Sequence, residues 1–175
     1  MRQSQFKRIV RQYKDFIYNY AYYFTGIRED AEDLTQEVLL RMWHHVDSLR
    51  LGPTKSWVAT VTRNMCIDWA RRRRPEADSP VPLETEDRHL ELGAPLEEAG
   101  AERGELREKI EEAIAQLPEK VRSVIILREI EDMKYEEISH VLNMPLNSVK
   151  SHIHRGRRLL RERLRVLYES EYQRS

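Results

Sequence analysis

One acidic segment divides this chain into separate folding units. Residues 76–105 hold ten acidic and two basic side chains, with three prolines, three glycines and few large apolar residues. Such a composition buries too little apolar surface to offset the entropy lost on ordering. The sequence therefore predicts a flexible acidic linker at 76–105, between one domain at 1–75 and a second at 106–175. Each domain is small, but a helical unit of about 70 residues can fold alone.

Both domains carry the periodicity of amphipathic helices, with apolar residues at steps of three and four. In the first domain the pattern breaks at Thr25-Gly26 and again at Gly52-Pro53. No alternating strand pattern occurs in the sequence. The predicted fold class is all-α, with two small helical domains. The predicted helical segments are 6–24, 29–46, 57–74, 106–117, 119–131, 135–142 and a longer one that begins near 148.

The last two predicted helices have the arrangement of a helix-turn-helix. A short helix over Tyr135–Leu142 is followed by a break at Asn143–Asn147 and then by a longer basic helix. Asn147 or Ser148 is expected to cap that helix, since Asn and Ser both favour the N-cap position.

The long helix separates an apolar face from a basic one. At about 100° per residue, the apolar face includes Val149, Ile153 and Leu160. In a recognition helix the first residues meet base edges and later basic residues meet phosphates. A solvated basic face without a ligand is the alternative, but it would not explain the preceding turn. The predicted base-edge residues are Ser148, Lys150, Ser151 and His152, and the other predicted DNA contacts are His154, Arg155, Arg157 and Arg158.

The formal net charge of zero hides an uneven distribution along the chain. Residues 1–75 carry +6, residues 76–105 carry −8 and residues 106–175 carry +2. In the first domain, the run Arg71–Arg74 could bind phosphates through a salt-sensitive interaction or only complement a helix dipole.

Two further features lie beside that basic run. Asn64, Asp68 and Arg71 share a helical face, on which an ion pair from Asp68 to Arg71 or Arg72 is the alternative to a binding role. The loop Arg50–Lys55 lies next to this helix and is placed to reach an unstacked base.

Other classes of protein fit the sequence poorly. No stretch of roughly 20 apolar residues could span a membrane, and the amino terminus lacks the pattern of a signal peptide, so a cytoplasmic location is expected. The single Cys66 excludes a multi-thiolate metal site. Glu137 and His140 have di-iron spacing, as do Glu86 and His89, but the second pair lies in the Pro-rich segment. We expect no metal, no cofactor and no catalysis.

Five motifs, taken together, resemble bacterial sigma factors of the extracytoplasmic-function group. They occur in the order and at the spacing of that family and cover both domains. The motifs are Asp30–Trp43 (DAEDLTQEVLLRMW), Trp57–Arg74 (WVATVTRNMCIDWARRRR), Leu117-Pro118 with Arg122, Tyr135–Ser139 (YEEIS) and Ser148–Arg157 (SVKSHIHRGR).

The resemblance implies a role for each surface. The first domain would correspond to region 2, which binds the clamp of the polymerase β′ subunit and the promoter minus 10 element. The second would correspond to region 4, which reads the minus 35 element and meets the β flap. The implied minus 10 residues are Arg50, Lys55, Asn64, Asp68, Arg71, Arg72 and Arg73, and the implied polymerase contacts are Asp33, Gln36, Glu37, Ile125 and Ile126.

The implied partners are core RNA polymerase, promoter DNA and an anti-sigma factor, with no small-molecule substrate. The acidic linker would approach the polymerase active-site and RNA-exit channels in such a complex, while a plain spacer fits its composition equally well. The alternative is a helix-turn-helix regulator that works without polymerase, and the helical first domain argues against it. This sequence departs from the family pattern at Asn147, Ser148, His152 and Gly156, which leaves its minus 35 preference open.

Overall fold

The chain folds into seven α-helices and two short helical turns over the residues that the structure, a computed structural model, describes: 2–50, 54–73 and 101–172. No strand occurs in these ranges. The helices are α1 (Arg2–Thr25), α2 (Arg28–His44), α3 (Thr54–Arg72), α4 (Ala101–Ala115), α5 (Glu119–Ile125), α6 (Tyr135–Leu142) and α7 (Leu146–Tyr172), with a 3-10 turn at Ser48–Arg50 and a π-helical turn at Ile126–Ile130.

The first domain comprises α1, α2 and α3, and α1 packs against both of the others. The break between α1 and α2 depends on Gly26, which has φ of 70° and donates its backbone N–H to the Tyr22 carbonyl at 2.8 Å. This left-handed backbone is the conformation that glycine adopts at low cost at a helix end. The core predicted from the apolar stripes is confirmed, and its fully buried residues include Ile17, Tyr20, Phe24, Val38, Met42, Val58 and Cys66.

The second domain comprises α4 to α7, and its predicted apolar faces are also confirmed. Val121, Ile138 and Val149 are fully buried, and Ile153 is nearly so. Helix α6 has the predicted bounds. Asn143 follows it with φ of 47° and ψ of 51°, a left-handed conformation that Asn tolerates better than most residues.

Four boundaries differ clearly from the sequence prediction. Helix α3 begins at Thr54, so Thr54 and Lys55 lie in the helix and the prediction of a loop over Arg50–Lys55 is wrong at these two residues. Helix α7 begins at Leu146, so Asn147 and Ser148 lie inside its first turn and the predicted cap at either residue is wrong. The segment predicted as one helix over 119–131 is α5 followed by the π-helical turn. Helix α4 begins at Ala101, inside the segment predicted as linker. The rest of that segment, residues 76–100, lies outside the described residues, as do 51–53 and Arg74.

The two domains pack directly on each other. Helix α1 contacts α4 and the π-helical turn, and α3 contacts α6. Among the helices in the described ranges, none is both long and apolar enough to cross a lipid bilayer.

Candidate nucleic-acid interface

The helix-turn-helix consists of α6, a three-residue turn and α7. The turn is closed by two hydrogen bonds, from the Met144 N–H to the Ser139 carbonyl at 3.1 Å and from the Ser139 hydroxyl to the Met144 carbonyl at 2.6 Å. At the other end of α6, the Lys134 N–H donates to the Glu137 carboxylate at 2.8 Å. The two bonds at the turn restrain how α7 leaves α6, which a recognition helix requires, and the Lys134 contact caps the start of α6.

The predicted DNA-reading residues lie in the first four turns of α7. Lys150, Ser151, His154 and Arg158 are exposed, whereas Ser148, His152 and Arg155 are half-buried. The Ser151 hydroxyl donates to the Asn147 carbonyl at 2.9 Å, which leaves its oxygen free to accept. Five of these eight residues, including Arg157, are thus exposed on α7, beside its buried residues Val149 and Ile153.

Two of these residues have specific electrostatic surroundings. Arg157 forms an ion pair with Glu129 of the π-helical turn at 2.6 Å, so its guanidinium is already held in place. Burial lowers the pKa of His152, and the nearby Arg155 and Lys120 lower it further. The lowered pKa favours the neutral imidazole, which can both donate and accept a hydrogen bond.

Most of the predicted minus 10 residues on α3 are exposed. Asn64, Asp68, Arg71 and Arg72 are exposed, while Lys55 is half-buried. Asp68 makes no ion pair with Arg71 or Arg72 within the described residues. The side chain of Arg50 lies outside the described set.

Arg73 differs from its neighbours because it already has partners. Its guanidinium lies 2.6 Å from the Asp30 carboxylate and 4.7 Å from the centre of the Trp69 ring. The basic run at the end of α3 therefore ties α3 to α2 through Arg73 and supplies exposed positive charge at Arg71 and Arg72.

A shallow depression of about 410 Å³ connects the α3 surface with α2. In this depression Asp68, Arg71 and Arg72, which are predicted to contact DNA, lie next to Glu37, which is predicted to contact polymerase. The lining residues are Glu37, Arg41, Met65, Asp68, Arg71 and Arg72.

The acidic face of α2 is exposed and includes a residue that the sequence analysis missed. Asp33, Gln36 and Glu37 all face outward. Leu40 is 62% exposed on the same helix, within one turn of Gln36 and Glu37. Single exposed leucines are common on protein surfaces, so Leu40 becomes a candidate contact because it adjoins the residues predicted to bind polymerase. Leu40 could have been found from the sequence, because it is an apolar residue that lies outside the apolar stripe of α2.

Ile125 and Ile126, the residues implied to meet the β flap, are fully buried. Ile125 packs under α7 at Gly156, where an added Cβ would lie 2.4 Å from the Ile125 Cγ1 atom. In this conformation neither residue is available to a partner. No group of three or more His, Cys, Asp or Glu side chains is arranged to hold a metal ion within the described ranges.

The fold and these surfaces define an all-helical DNA-binding protein with a helix-turn-helix in its second domain. Residues 9–76 match the family described as Sigma-70 region 2, and residues 107–160 match Sigma-70, region 4. The chain is 36% identical to "ECF RNA polymerase sigma factor SigW" of Bacillus subtilis, over 94% of this chain and 91% of that protein. It belongs to the family of ECF RNA polymerase sigma factors, which are transcription initiation factors.

Two further comparisons agree with this assignment. The chain is 36% identical to "ECF RNA polymerase sigma factor SigE" of Mycolicibacterium smegmatis, over 89% of its own residues, and it spans 60% of that relative's length. Among solved structures, it is similar to the sigma factor RpoE in complex with the anti-sigma factor NepR from Bartonella quintana. That match has a TM-score of 0.71 and 25% identity, over 92% of this chain and 97% of that one.

Proposed function

We propose that this chain directs core RNA polymerase to promoters by reading the minus 35 element with α7 and the minus 10 element with the α3 surface. The observation that carries the proposal is the exposed polar and basic start of α7, directly after the hydrogen-bonded turn of the helix-turn-helix. A polymerase-independent regulator would need only this second domain, whereas the match to Sigma-70 region 2 covers the first.

For the minus 35 element, we assign base reading to Ser148, Lys150, Ser151 and His152, because the first turns of a recognition helix enter the major groove. We assign phosphate contacts to His154, Arg155, Arg157 and Arg158. The ion pair with Glu129 holds Arg157 before DNA arrives, and a phosphate would then compete with that carboxylate. Substitutions at the phosphate contacts should weaken binding to all minus 35 sequences similarly, whereas substitutions at His152 should change which sequence is preferred.

For the minus 10 element, we assign DNA contacts to Arg50, Lys55, Asn64, Asp68, Arg71, Arg72 and Arg73. Exposed guanidinium groups at Arg71 and Arg72 favour phosphate binding. Asp68 next to them would repel a phosphate, so it is better suited to accept a hydrogen bond from the amino group of an unpaired base. Strand opening would then be driven by binding energy, without a nucleotide cofactor.

For polymerase, we assign binding to Asp33, Gln36 and Glu37 on α2, with Leu40 as an apolar anchor. The adjoining depression would place the bound polymerase next to the minus 10 surface. The proposed flap contacts Ile125 and Ile126 become available only after the second domain rearranges, because both are buried here.

We further propose that the chain acts in the cytoplasm, where its polymerase is, and is regulated by an anti-sigma factor. The support is the similarity to the sigma factor RpoE, whose solved structure contains the anti-sigma factor NepR.

The polymerase assignment can be tested by sedimentation of the chain with core polymerase. Glu37→Lys and Leu40→Ala should each weaken the complex about tenfold or more, the range of effects at interface anchors. Glu162→Lys, also exposed but on α7, is the matched control and should bind as wild type does. Equal binding of all variants would refute the assignment of α2.

The DNA assignment can be tested by binding of the polymerase complex to promoter duplexes at several salt concentrations. Lys150→Ala should weaken binding, whereas Arg165→Ala, fifteen residues further along α7, should not. Equal losses from both changes would mean that α7 contributes only general positive charge.

A further inference from the structure

The first half of α1 carries a row of exposed cations that the surfaces described above do not include. Lys7, Arg8, Arg11 and Lys14 are all exposed, and residues 1–14 contain no acidic side chain. We name these four residues the basic stripe. Two of them precede residue 9, where the match to Sigma-70 region 2 begins. That match therefore covers only half of the basic stripe.

The folded chain does not neutralise the charges of the basic stripe. None of its four cations forms an ion pair within the described residues, whereas Arg2 of the same helix lies 3.7 Å from the Asp47 carboxylate. Three of the four cations, with Ser4 and Gln12, line a shallow depression of about 490 Å³. Among the described residues no acidic one lines it, so an anion there would meet only cations and neutral polar groups.

The arrangement of the basic stripe destabilises its own helix. Lys7 and Arg11 are like charges four residues apart, and Arg11 and Lys14 are three apart, spacings at which like charges repel across a helix face. Asp15 lies four residues after Arg11 but forms no ion pair with it within the described residues. In α2, α4 and α7, by contrast, an arginine four residues before a glutamate forms an ion pair with it. A row of unpaired like charges on one helix indicates an anionic ligand.

The charge density of the basic stripe fits a nucleic-acid backbone better than an acidic peptide. Its four cations span seven residue steps, or about 10.5 Å of helix axis, which gives one cation per roughly 3 Å. A nucleic-acid strand carries one phosphate per about 3.4 Å. The acidic segment 76–105 of this chain has one acid in three residues, so an extended stretch of that composition carries one charge per roughly 10 Å. A sugar-phosphate backbone therefore matches the stripe, and the acidic segment does not.

Two other anionic ligands fit the basic stripe less well. A basic helix that binds a lipid surface inserts its apolar face between the lipids, but Ile9, Phe16 and Ile17 on the apolar face of α1 are buried in the first domain. A site for a small molecule encloses most of its ligand, whereas the depression beside the stripe is shallow. An open row of cations suits a polymer that passes across it.

Helices α1 and α3 run in the same direction, because both are antiparallel to α2. At the start of α1, the Arg2 guanidinium donates to the Trp43 carbonyl near the end of α2 at 3.2 Å. Directly after α3, Arg73 pairs with Asp30 near the start of α2. Since α1 also contacts α3, the end of α3 with its proposed minus 10 contacts lies beside the end of α1. Lys14 lies about 16 Å before that end along the axis of α1.

Resting on the function proposed above, we propose that the basic stripe binds the phosphate backbone of the promoter DNA that flanks the minus 10 element. Adjacent helix axes lie about 10 Å apart, so the stripe is roughly 20 to 30 Å from the minus 10 contacts at the end of α3. At about 3.4 Å per nucleotide, this distance corresponds to roughly six to nine nucleotides along a strand. The stripe reads no bases. It adds affinity and directs the path of the DNA beside the element.

The proposal is tested by binding of the complex with core polymerase to promoter DNA over a range of salt concentrations. Lys7→Gln/Arg11→Gln removes two phosphate contacts, so it should lower the slope of log affinity against log salt by about 1.4 to 1.8 and weaken binding about tenfold at roughly 0.1 M salt. Arg161→Gln/Arg165→Gln is the matched control, because it removes the same charge from exposed positions late in α7, and it should keep the wild-type slope. An unchanged slope in Lys7→Gln/Arg11→Gln would overturn the proposal.

Chemical modification of the DNA locates the contact. Neutral methylphosphonates replace the phosphates at roughly six to nine nucleotides from the minus 10 element, at the distance estimated above, first on one side of the element and then on the other. On one side the modification should weaken binding of the wild-type complex and cause no further loss in Lys7→Gln/Arg11→Gln, because the contact is already absent there. Losses that add fully on both sides would overturn the proposal.

The folding of the variant and its binding to other partners are measured separately. Its midpoint of unfolding in urea should equal or exceed that of wild type, because repulsion between like charges is removed. It should also bind core polymerase as wild type does. A weaker polymerase complex with an unchanged salt slope on DNA would assign the stripe to polymerase and overturn the proposal. Loss of binding to phosphatidylserine vesicles, again with an unchanged slope on DNA, would assign it to a lipid surface instead.

Failure of this proposal and failure of the proposed function give different results. If the wild-type chain supports promoter-dependent transcription and Lys7→Gln/Arg11→Gln binds promoter DNA with the same salt slope, only the role of the basic stripe is wrong. If the wild-type chain supports no transcription with core polymerase, the sigma-factor function itself is wrong.

Discussion

Gly156 allows α7 to lie unusually close to α5. The change in stability caused by Gly156→Ala tests how tightly the two helices pack. An added Cβ would lie 2.4 Å from Cγ1 and 2.5 Å from Cδ1 of Ile125, and 3.0 Å from Cγ1 of Val121. Both neighbours are fully buried, so neither can move freely. In an exposed helix the change would stabilise by about 1 kcal/mol through helix propensity. Overpacking a core typically costs about 1 to 3 kcal/mol, so we expect Gly156→Ala to destabilise the protein by about 1 kcal/mol.

Gly104 in α4 is the matched control because a Cβ there would meet nothing within 4 Å. Gly104→Ala should stabilise by about 0.5 to 1 kcal/mol. The propensity gain is similar at the two sites, so the difference between the variants isolates the overpacking cost and should be about 1 to 3 kcal/mol.

The assay is equilibrium unfolding in urea, followed by far-UV circular dichroism, with the slope compared between variants. Ile125→Val removes the Cδ1 atom. Combined with Gly156→Ala, it should recover part of the stability lost through overpacking, and a double-mutant cycle measures this coupling between the two sites. Equal stabilisation by Gly156→Ala and Gly104→Ala would refute the close packing of α5 and α7.

Three further outcomes are expected. Cys66 should resist alkylation in the native protein and react after unfolding, since it is fully buried and burial raises the pKa of its thiol; rapid native labelling would contradict this. Asn143→Val should lower the stability by about 1 to 2 kcal/mol, because a β-branched residue disfavours its left-handed backbone, whereas Asn143→Gly should be tolerated. Burial raises the pKa of Glu131 to about 7, although the nearby charge of Lys55 lowers it in part. Tyr23 of α1 also faces Glu131. The stability that Glu131 contributes should be full below its ordinary pKa near 4.5 and be lost as the pH rises through about 7, and Glu131→Gln should remove this pH dependence of unfolding.

The helices and the division of α7 into a buried and an exposed face were predictable because they depend on local pattern. The apolar positions Val149, Ile153 and Gly156 recur at helical spacing and are all buried. The exposed basic face follows from the same periodicity. Binary patterning of this kind decides which side of a helix is buried, whatever the partner is.

The π-helical turn and the start of α7 were not predictable from pattern alone. A π turn adds one residue to a helical turn without changing the apolar composition, so 119–131 resembles a continuous helix. At α7, Asn147 and Ser148 are both favourable caps by residue type. The helix nevertheless begins directly after Pro145, whose carbonyl accepts the first helical hydrogen bond, from the Val149 N–H at 3.1 Å.

The contact between the domains is the largest difference between the sequence and the structure. The sequence predicted two domains on a linker, and nothing in its periodicity indicated that they meet. Tyr22 and Glu111 are 89 residues apart, and Phe24 and Arg122 are 98 apart. Such contacts depend on the shapes of two folded surfaces, which a local pattern does not contain. The same contact explains why Glu131 is half-buried, with one carboxylate oxygen out of contact with solvent.

Run-off transcription with purified core RNA polymerase tests the central claim most directly. On fragments that carry a minus 35 and a minus 10 element, addition of this chain should produce transcripts with a defined start, and core polymerase alone should produce none. The start should disappear when either element is replaced. No defined transcript, together with equal binding of the chain to promoter DNA with and without polymerase, would contradict the assignment as a promoter-recognition subunit.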